Sequence, residues 1–178
     1  MRGRDSRTGR KIPVRALSIK QPWAYAIMKL GNDVENRTWW TPYRGDLVIH
    51  APQSHDLGAP GILADILGVG VRSFDWWDDP LRAITGHIVG VVELIDVVEG
   101  RPTPSRWAEP QDRRGRPYHW LLRNPRVLPE PIRARGYQSL WQPTPADLAE
   151  IGRQLADCPA HLGAQRGEQL SLFQEARA

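Results

Sequence analysis

The sequence of 178 residues has little cysteine, little lysine and no long apolar run. Its one cysteine, Cys158, excludes a disulfide framework, and the cysteine and histidines do not have the spacing of a zinc site. The basic start, MRGRDSRTGRKIP, is not followed by the apolar stretch of a signal peptide, and no segment reaches membrane-spanning length. We therefore expect a cytoplasmic protein with no metal, no cofactor and no membrane partner.

Lysine occurs only at positions 11, 20 and 29, so nearly all of the 24 basic residues are arginines, whose planar guanidinium groups suit phosphates and bases. The charges are arranged in blocks. Residues 1–50 hold ten basic residues against four acidic ones, residues 51–100 two against eight, and residues 101–136 nine against three. If the two basic segments meet in the fold, they form a positive face that favours phosphate-backbone binding. A solvated surface without a partner is the alternative.

Hydrophobic periodicity predicts one domain at 13–142, preceded by a disordered basic arm at 1–12 and followed by a C-terminal helix at 143–157 and a flexible tail at 158–178. Gly86 and Gly90 stand where a long strand is expected to bend, and a mobile basic loop is predicted at 100–117. The predicted strands are 14–19, 33–39, 46–50, 83–98, 118–123 and 136–141, and the predicted helices are 21–31 and 54–67. These elements predict an α+β fold, a small and partly open β-barrel flanked by helices.

Several separate blocks of the sequence resemble one known family. The blocks are 16–24 (ALSIKQPWA), 33–39 (DVENRTW), 43–45 (YRG), 49–51 (IHA), 118–120 (YHW) and 136–141 (GYQSLW). In this order they resemble the ASCH domain over roughly residues 14–142. The resemblance implies a barrel similar to the pseudouridine synthase and archaeosine transglycosylase (PUA) fold, whose relatives bind RNA, DNA or modified bases in a groove beside the first helix.

The resemblance implies that a nucleic-acid-binding groove is built largely from the first fifty residues. In that groove Glu35 can accept from a base amino group and Arg37 can clamp a phosphate or a base edge, although the two could simply form an ion pair. Of the adjacent Trp39 and Trp40 one should be exposed, because neighbouring side chains of an extended chain point oppositely. The predicted binding residues are Ser18, Lys20, Gln21, Trp23, Glu35, Arg37, Trp39, Trp40, Tyr43 and Arg44.

Two groups of residues have alternative interpretations. Ser18, Lys20 and Gln21 lie at a strand-to-helix junction, where free helix N–H groups can meet an anion, but helix capping explains Ser18 and Gln21 equally well. Trp23 has the helical spacing of a core residue as well as the position of a stacking platform. His50 and His119 are interpreted as structural histidines.

The resemblance also bears on catalysis. The family pattern Gly-x-Lys-x-x-Glu-x-Arg is represented here by Leu30, Asn32, Glu35 and Arg37. Some small relatives hydrolyse N4-acetylcytidine with a Lys-Thr-Glu trio whose Lys matches Asn32 and whose Thr matches Glu35. Asn cannot act as a general base, so catalysis here would depend on Lys20 or Glu35. A binding protein is therefore favoured, and a hydrolase of N4-acylated cytidine or a nuclease is the alternative.

A second motif lies near the C-terminus, at 169–173 (QLSLF). It resembles the peptide by which bacterial replication and repair proteins bind the DNA polymerase sliding clamp, with Gln169 as the polar anchor and Leu170, Leu172 and Phe173 as apolar residues. An apolar turn folded onto the barrel is the alternative. Together the two motifs predict a nucleic-acid-binding protein that prefers DNA, reads an exposed or modified base and is recruited by its tail. A protein-interaction module with a solvated basic face is a further alternative.

Overall fold

A curled six-stranded sheet with helices on both faces forms the fold. The computed structural model describes residues 3–4, 11–70, 79–99, 103–109 and 117–157. Within these ranges the strands are β1 (Gly3–Arg4), β2 (Lys11–Ile12), β3 (Arg15–Ser18), β4 (Val34–Arg37), β5 (Gly45–Ala51), β6 (His87–Glu99), β7 (Tyr118–Arg133) and β8 (Leu140–Trp141). The helices of the same ranges are α1 (Trp23–Lys29), α2 (Ala59–Leu67), α3 (Pro80–Ala83) and α4 (Pro145–Asp157).

The strand order in the large sheet is β4-β7-β6-β5-β3-β8. Only β3 and β5 pair in parallel, because the chain crosses over through α1 and β4 between them. The outer strands β4 and β8 do not pair with each other, so the sheet is curled but open. This architecture confirms the predicted α+β fold with a partly open barrel. A separate two-stranded ladder joins β1 to β2.

Strand β5 shows why both faces of the sheet are covered. Its side chains alternate, so Leu47 and Ile49 join the core beneath α1, whereas Val48 faces a second core that includes Ile151 of α4. All of these side chains are buried. None of the helices in the described part of the chain is long and apolar enough to span a membrane.

Gly90 sets the distance between β6 and α1. A Cβ at this position would lie 2.3 Å from Met28 Sδ and 2.7 Å from the carbonyl oxygen of Arg126. The pairing register of β6 with both neighbouring strands shifts next to Gly90. The sequence prediction of a bend at this glycine is therefore confirmed, and the bend lets α1 pack closely on the sheet.

Strand β7 differs from its prediction. The sequence predicts a short strand at 118–123, yet β7 continues to Arg133 through Pro125, Pro129 and Pro131. Register shifts against β6 leave these three prolines outside the matched pairs, so their missing N–H groups cost no ladder hydrogen bond. The prediction of a short strand was wrong for this reason.

Several other predicted elements also differ in extent. The long strand predicted at 83–98 begins only at His87, because Ala83 is the last residue of α3 and Gly86 has a φ of 69°. Strand 136–141 is reduced to Leu140–Trp141, and Ser139 with φ of 57° precedes it. Helix 54–67 begins only at Ala59, because Gln21 forms a bridge with His55 before it. The predicted mobile loop at 100–117 includes a described part, 103–109, that packs on the fold through the buried Trp107. The QLSLF motif lies outside the described residues.

Candidate nucleic-acid interface

A cavity of about 600 Å³ opens beside helices α1 and α2. Besides these helices, five parts of the chain surround it: the end of β3 with the turn into α1, strand β4, the segment 52–56, the segment 103–109, and the segment 136–139 after β7. Small-ligand pockets have volumes of roughly 300–1,000 Å³, so this α1–α2 cavity is large enough for one organic group such as a base.

Five of the ten predicted binding residues line the α1–α2 cavity. They are Ser18 at the end of β3, Lys20 in the turn before α1, Trp23 at the start of α1, and Glu35 and Arg37 on β4. The crossover connection brings these elements together at one end of the sheet. Lys20 and Glu35, the two candidate catalytic residues, therefore share one cavity.

Glu35 and Arg37 form an ion pair on the face of β4 that borders the cavity. Arg37 Nε lies 3.0 Å from Glu35 Oε1, and Arg37 Nη2 donates to the carbonyl oxygen of Ser18 at 3.1 Å. Burial raises the pKa of the Glu35 carboxyl; the positive charge of Arg37 opposes this shift and the negative charge of Glu109 adds to it. The pair is thus partly desolvated, and hydrogen bonds from it to a ligand are stronger than at an open surface.

Ser18 is held by a buried histidine. Its single hydroxyl proton has two acceptors within reach, the Tyr137 carbonyl oxygen and His50 Nδ1, each 3.1 Å from the hydroxyl oxygen. His50 Nε2 lies 3.1 Å from the Ala134 carbonyl oxygen, so Nε2 carries the ring proton and Nδ1 is the acceptor. Burial lowers the pKa of His50, which keeps the ring neutral. This matches the sequence interpretation of His50 as structural.

Part of the cavity lining is apolar or aromatic. Trp23 Nε1 donates to Asp56 Oδ2 at 2.9 Å, which satisfies the indole N–H and fixes the ring. Ile62 and Ile66 on α2 contribute aliphatic surface. The side chain of Tyr137 is 55% exposed and borders the same cavity. An exposed ring at the mouth of a cavity is a surface on which a base can stack.

Gln21 does not belong to the cavity, contrary to the prediction. It is fully buried, its Nε2 donates to the carbonyl oxygens of Leu81 at 2.8 Å and Ile84 at 3.0 Å, and its Oε1 accepts from the Tyr25 amide at 3.0 Å. Every donor hydrogen of this side chain is therefore used within the fold. The capping alternative for Gln21 is the one that the structure supports.

The start of α1 offers no free N–H groups for an anion. The amides of Trp23 and Ala24 donate to the Lys20 carbonyl oxygen at 2.9 and 3.3 Å, and the next amide is capped by Gln21. The predicted anion site at this junction is therefore closed by internal hydrogen bonds.

The predicted stacking tryptophans lie outside the cavity lining. Trp39 packs edge-on against Trp120, with ring centroids 4.6 Å apart, and is therefore part of the core surround. Trp40 is 53% exposed, so one of the two adjacent rings does reach solvent as expected. Neither ring borders the α1–α2 cavity.

Tyr43 and Arg44 also lie elsewhere. Tyr43 is buried and its hydroxyl donates to the carbonyl oxygen of Asp46. Arg44 Nη2 forms an ion pair with Asp96 Oδ1 at 2.9 Å, and Arg44 Nη1 donates to the Thr41 carbonyl oxygen at 2.8 Å. The turn at 41–45 therefore has a structural role, which its sequence does not distinguish from binding.

The α1–α2 cavity is not the positive face that the charge blocks predicted. Its lining has two basic residues, Lys20 and Arg37, and three acidic ones, Glu35, Asp56 and Glu109. Three arginines of the basic segments instead pair with carboxylates across the sheet: Arg44 with Asp96, Arg123 with Glu93, and Arg126 with Asp46. The cavity therefore suits a neutral polar group better than a phosphate.

Several lining residues were missed by the sequence analysis. Asn36 joins β4 to the segment 103–109, because its Nδ2 donates to the Trp107 carbonyl oxygen at 2.9 Å and its Oδ1 accepts from the Glu109 amide at 3.0 Å. Tyr137, Gln138 and Ser139 close the other side. A signal for this last group was present, since 136–141 was one of the blocks shared with the family.

Asn32, at the position of the family lysine, lines the cavity with a structural role. Its Oδ1 accepts from the Val34 amide at 3.1 Å. No three His, Cys, Asp or Glu side chains are grouped to hold a metal ion in the ranges that the structure describes. The cavity thus offers a carboxylate, a guanidinium, an amine and amides, together with aromatic surface.

Comparison with known protein families identifies one match. The ASCH domain family profile matches residues 17–137, which run from the end of β3 to just beyond β7 and include every residue of the cavity lining except Gln138 and Ser139. The chain belongs to the ASCH domain family.

This ASCH domain chain is also similar to two longer proteins and to a protein whose structure has been solved. It is 24% identical over 153 residues to activating signal cointegrator 1 of Homo sapiens and to that of Mus musculus, an alignment that covers 85% of this chain. The chain spans only 24% of the length of these two relatives. The solved ASCH protein of Zymomonas mobilis is 14% identical, with a TM-score of 0.49, and the match covers 79% of this chain and 94% of that one.

Proposed function

We propose that this ASCH domain binds nucleic acid by receiving one unpaired base in the α1–α2 cavity. The observation that carries the proposal is the Glu35–Arg37 pair, which borders a cavity of about 600 Å³ beside an exposed aromatic ring. A carboxylate accepts from an exocyclic amino group and a guanidinium donates to ring nitrogen or carbonyl acceptors. The pair therefore has complementary groups for the edge of a base.

Stacking supplies the second part of this recognition. Tyr137 offers an exposed ring, and Trp23 has its N–H group satisfied by Asp56, so a base face can contact either without an unpaired donor. Base-to-aromatic stacking contributes about 1–3 kcal/mol per base in single-strand binders. A base reaches such a cavity only from a single strand or after leaving the duplex stack. We therefore propose selectivity for exposed or modified bases.

A binding panel tests the proposal. Fluorescence anisotropy is measured with labelled single- and double-stranded DNA and RNA of the same sequence at two salt concentrations. We expect single strands to bind more tightly than duplexes, and Glu35→Gln to change the preference among bases. Glu93→Gln is the matched control, because Glu93 pairs with Arg123 outside the cavity. Equal affinities of wild type and Glu35→Gln for every base would contradict the proposal.

The tail provides a separate proposal, recruitment to DNA by a bacterial sliding clamp. It rests on the sequence of the QLSLF motif alone, with Leu172 and Phe173 as apolar anchors. It is also the reason for proposing DNA rather than RNA. The full chain should bind the clamp in calorimetry with the modest affinity of a short peptide, and Leu172→Ala with Phe173→Ala should abolish this while leaving nucleic-acid binding unchanged. Unchanged clamp binding in the double variant would contradict it.

One observation favours hydrolysis as a second candidate function. Lys20 and Glu35 line the same cavity, and the raised pKa of Glu35 moves this carboxyl toward the range of a general acid or base. The substrate would be N4-acylated cytidine, or RNA for a nuclease. Product formation that is lost in both Lys20→Ala and Glu35→Gln would establish this function.

A further inference from the structure

A second cavity, of about 750 Å³, opens on the other side of Gly136 from the α1–α2 cavity. It is bordered by the start of β6 and by the residues at the end of β7, and Pro52 and Gly136 line both cavities. We name it the arginine cavity after Arg133 and Arg135, which line it together with His87. The two cavities are therefore adjacent, with one glycine and one proline between them.

The arginine cavity differs from its neighbour in charge. Arg133, Arg135 and His87 supply basic groups, and no acidic residue is among the described residues that line it. The α1–α2 cavity has three acidic groups against two basic ones. The positive potential at this end of the sheet is therefore concentrated in the arginine cavity.

Pairing of the strands places two of the basic groups together. His87 and Arg133 are direct partners in the β6–β7 ladder. Basic groups directly opposite each other repel whenever both are charged, and an anion between them removes that repulsion. Neither arginine of the cavity forms an ion pair within the described ranges, unlike Arg44, Arg123 and Arg126.

Arg135 connects the two cavities. Its guanidinium carbon lies 5.7 Å from the centre of the Tyr137 ring, and Tyr137 borders the α1–α2 cavity. This cation–π contact orients the guanidinium without neutralising it. The His87 ring is oriented as well, because its Nδ1 donates to the Thr85 carbonyl oxygen at 2.6 Å. Donor groups are thus positioned beside the ring on which we propose that a base stacks.

We propose that the arginine cavity binds a phosphate group, namely the backbone phosphate next to the base held in the α1–α2 cavity. This inference rests on the proposed function, because it assigns the phosphate of the same nucleotide strand. Arginine pairs bind phosphate oxygens through parallel N–H donors, and the shared border at Gly136 connects the two groups. The base would supply selectivity and the phosphate would supply affinity.

Salt dependence tests the proposal. Anisotropy with a short labelled single-stranded DNA is measured over a range of salt for wild type and for Arg133→Ala/Arg135→Ala. We expect about tenfold weaker binding, a salt slope reduced by about 1, and an unchanged preference among bases. Arg133→Lys/Arg135→Lys should restore the slope, because it keeps the charge. Arg123→Ala is the matched control. A double alanine variant with wild-type slope and affinity would overturn the proposal.

A second measurement distinguishes failure of the phosphate site from failure of the proposed function. It also distinguishes a nucleotide ligand from free phosphate. Arginine side-chain NH resonances of the full chain are followed by NMR during titration with inorganic phosphate, a nucleoside and its 5′-monophosphate. We expect the Arg133 signal to move with the monophosphate and with phosphate but not with the nucleoside, whereas the Arg135 signal, beside the Tyr137 ring, should respond to base stacking as well. Tighter binding of the monophosphate than of phosphate supports a nucleotide ligand. If no arginine signal moves, the phosphate site is overturned, even if nucleic acid binds elsewhere on the protein. If the signals move with phosphate but the protein binds no nucleic acid, the phosphate site stands, and the proposed function and the assignment of the phosphate to a nucleic-acid backbone are overturned.

Discussion

Gly136 packs against the imidazole of His50 so closely that a Cβ at position 136 would lie 2.3 Å from Cε1 of the ring. The same Cβ would lie 2.6 Å from Ser18 Oγ. Neither neighbour can move freely, since His50 is hydrogen-bonded at both ring nitrogens. The backbone at Gly136 therefore has to approach without a side chain, and it forms the common border of the two cavities.

Replacing this glycine should both destabilise the protein and weaken ligand binding. We expect Gly136→Ala to lower the free energy of unfolding by about 1–3 kcal/mol, because an overpacked site forces its neighbours apart. Urea denaturation measures the loss. Gly61→Ala is the control, since no atom lies within 4 Å of its Cβ and position 61 is helical. That variant should be neutral or stabilised by about 0.5–1 kcal/mol. Equal stabilities of the two variants would contradict this account.

The structure distinguishes two arginines that the sequence placed together. Arg37 borders the α1–α2 cavity, whereas Arg44 is engaged with Asp96 and the turn at 41–45. We expect Arg37→Ala to weaken single-strand binding by about 1–3 kcal/mol and to reduce discrimination among bases. Arg44→Ala should leave binding near the wild-type value. Anisotropy on both variants checks this, and a greater loss in Arg44→Ala would move the site to the turn.

The Glu35 carboxyl should give stability an identifiable pH dependence. Its pKa is raised in the fold, chiefly by burial, so the folded state binds its proton more tightly than the unfolded state does. The stability that this proton contributes is present below the ordinary glutamate pKa and is lost as pH rises through the raised value. Relative to Glu35→Gln, the wild type should therefore lose stability over that window. Urea titrations at a series of pH values measure the difference.

Glu93 provides a control of opposite sign. Hydrogen bonds from Arg123 lower the pKa of Glu93, so its contribution is present above the ordinary glutamate pKa and lost as pH falls through the lowered value. Relative to Glu93→Gln, the wild type should lose stability toward acid pH. If the stability difference between wild type and Glu35→Gln changes with pH in the same direction as that between wild type and Glu93→Gln, the raised pKa assigned to Glu35 is refuted.

The start of α4 offers a further test of stability. Thr144 Oγ1 accepts from the Asp147 amide at 3.1 Å, and Asp147 Oδ2 accepts from the Thr144 amide at 2.9 Å, so the two residues form a capping box. Thr144→Ala should cost about 0.5–2 kcal/mol in urea denaturation, and Thr144→Ser should restore most of it. Equal stability of Thr144→Ala and wild type would show that α4 depends on its packing alone.

Local signals were the ones that could be read from the sequence. The bend at Gly90 and the exposure of one of the two adjacent tryptophans, Trp39 and Trp40, each depend on spacing or on backbone freedom within a few residues. The role of Trp39 could not be judged in this way, because its contact with Trp120 joins residues that are far apart in sequence. The role of Gln21 could not be predicted for the same reason. The carbonyl oxygens that accept from its side chain belong to Leu81 of α3 and to Ile84, the residue after α3.

The extent of the candidate site was underestimated for a related reason. The first fifty residues supply Ser18, Lys20, Trp23, Glu35 and Arg37, but the segments 103–109 and 136–139 close the cavity. Their positions follow from hydrogen bonds of Asn36 and Ser18 across the fold. Such long-range contacts are a property of the folded topology, and no periodicity in the sequence encodes them.

The prolines of β7 also bear on how the protein avoids self-association. The Leu122 amide still donates to the Asp33 carbonyl oxygen at 2.8 Å, but beyond Leu122 no strand of the described residues pairs with β7 on its β4 side, so one edge of the sheet is open there. An open edge can recruit a strand from another molecule and start aggregation. Pro125, Pro129 and Pro131 bring no N–H donor to it, and Gln154 of α4 occupies the amide and carbonyl of Glu130. This edge of β7 is thereby a poor template for intermolecular β-pairing.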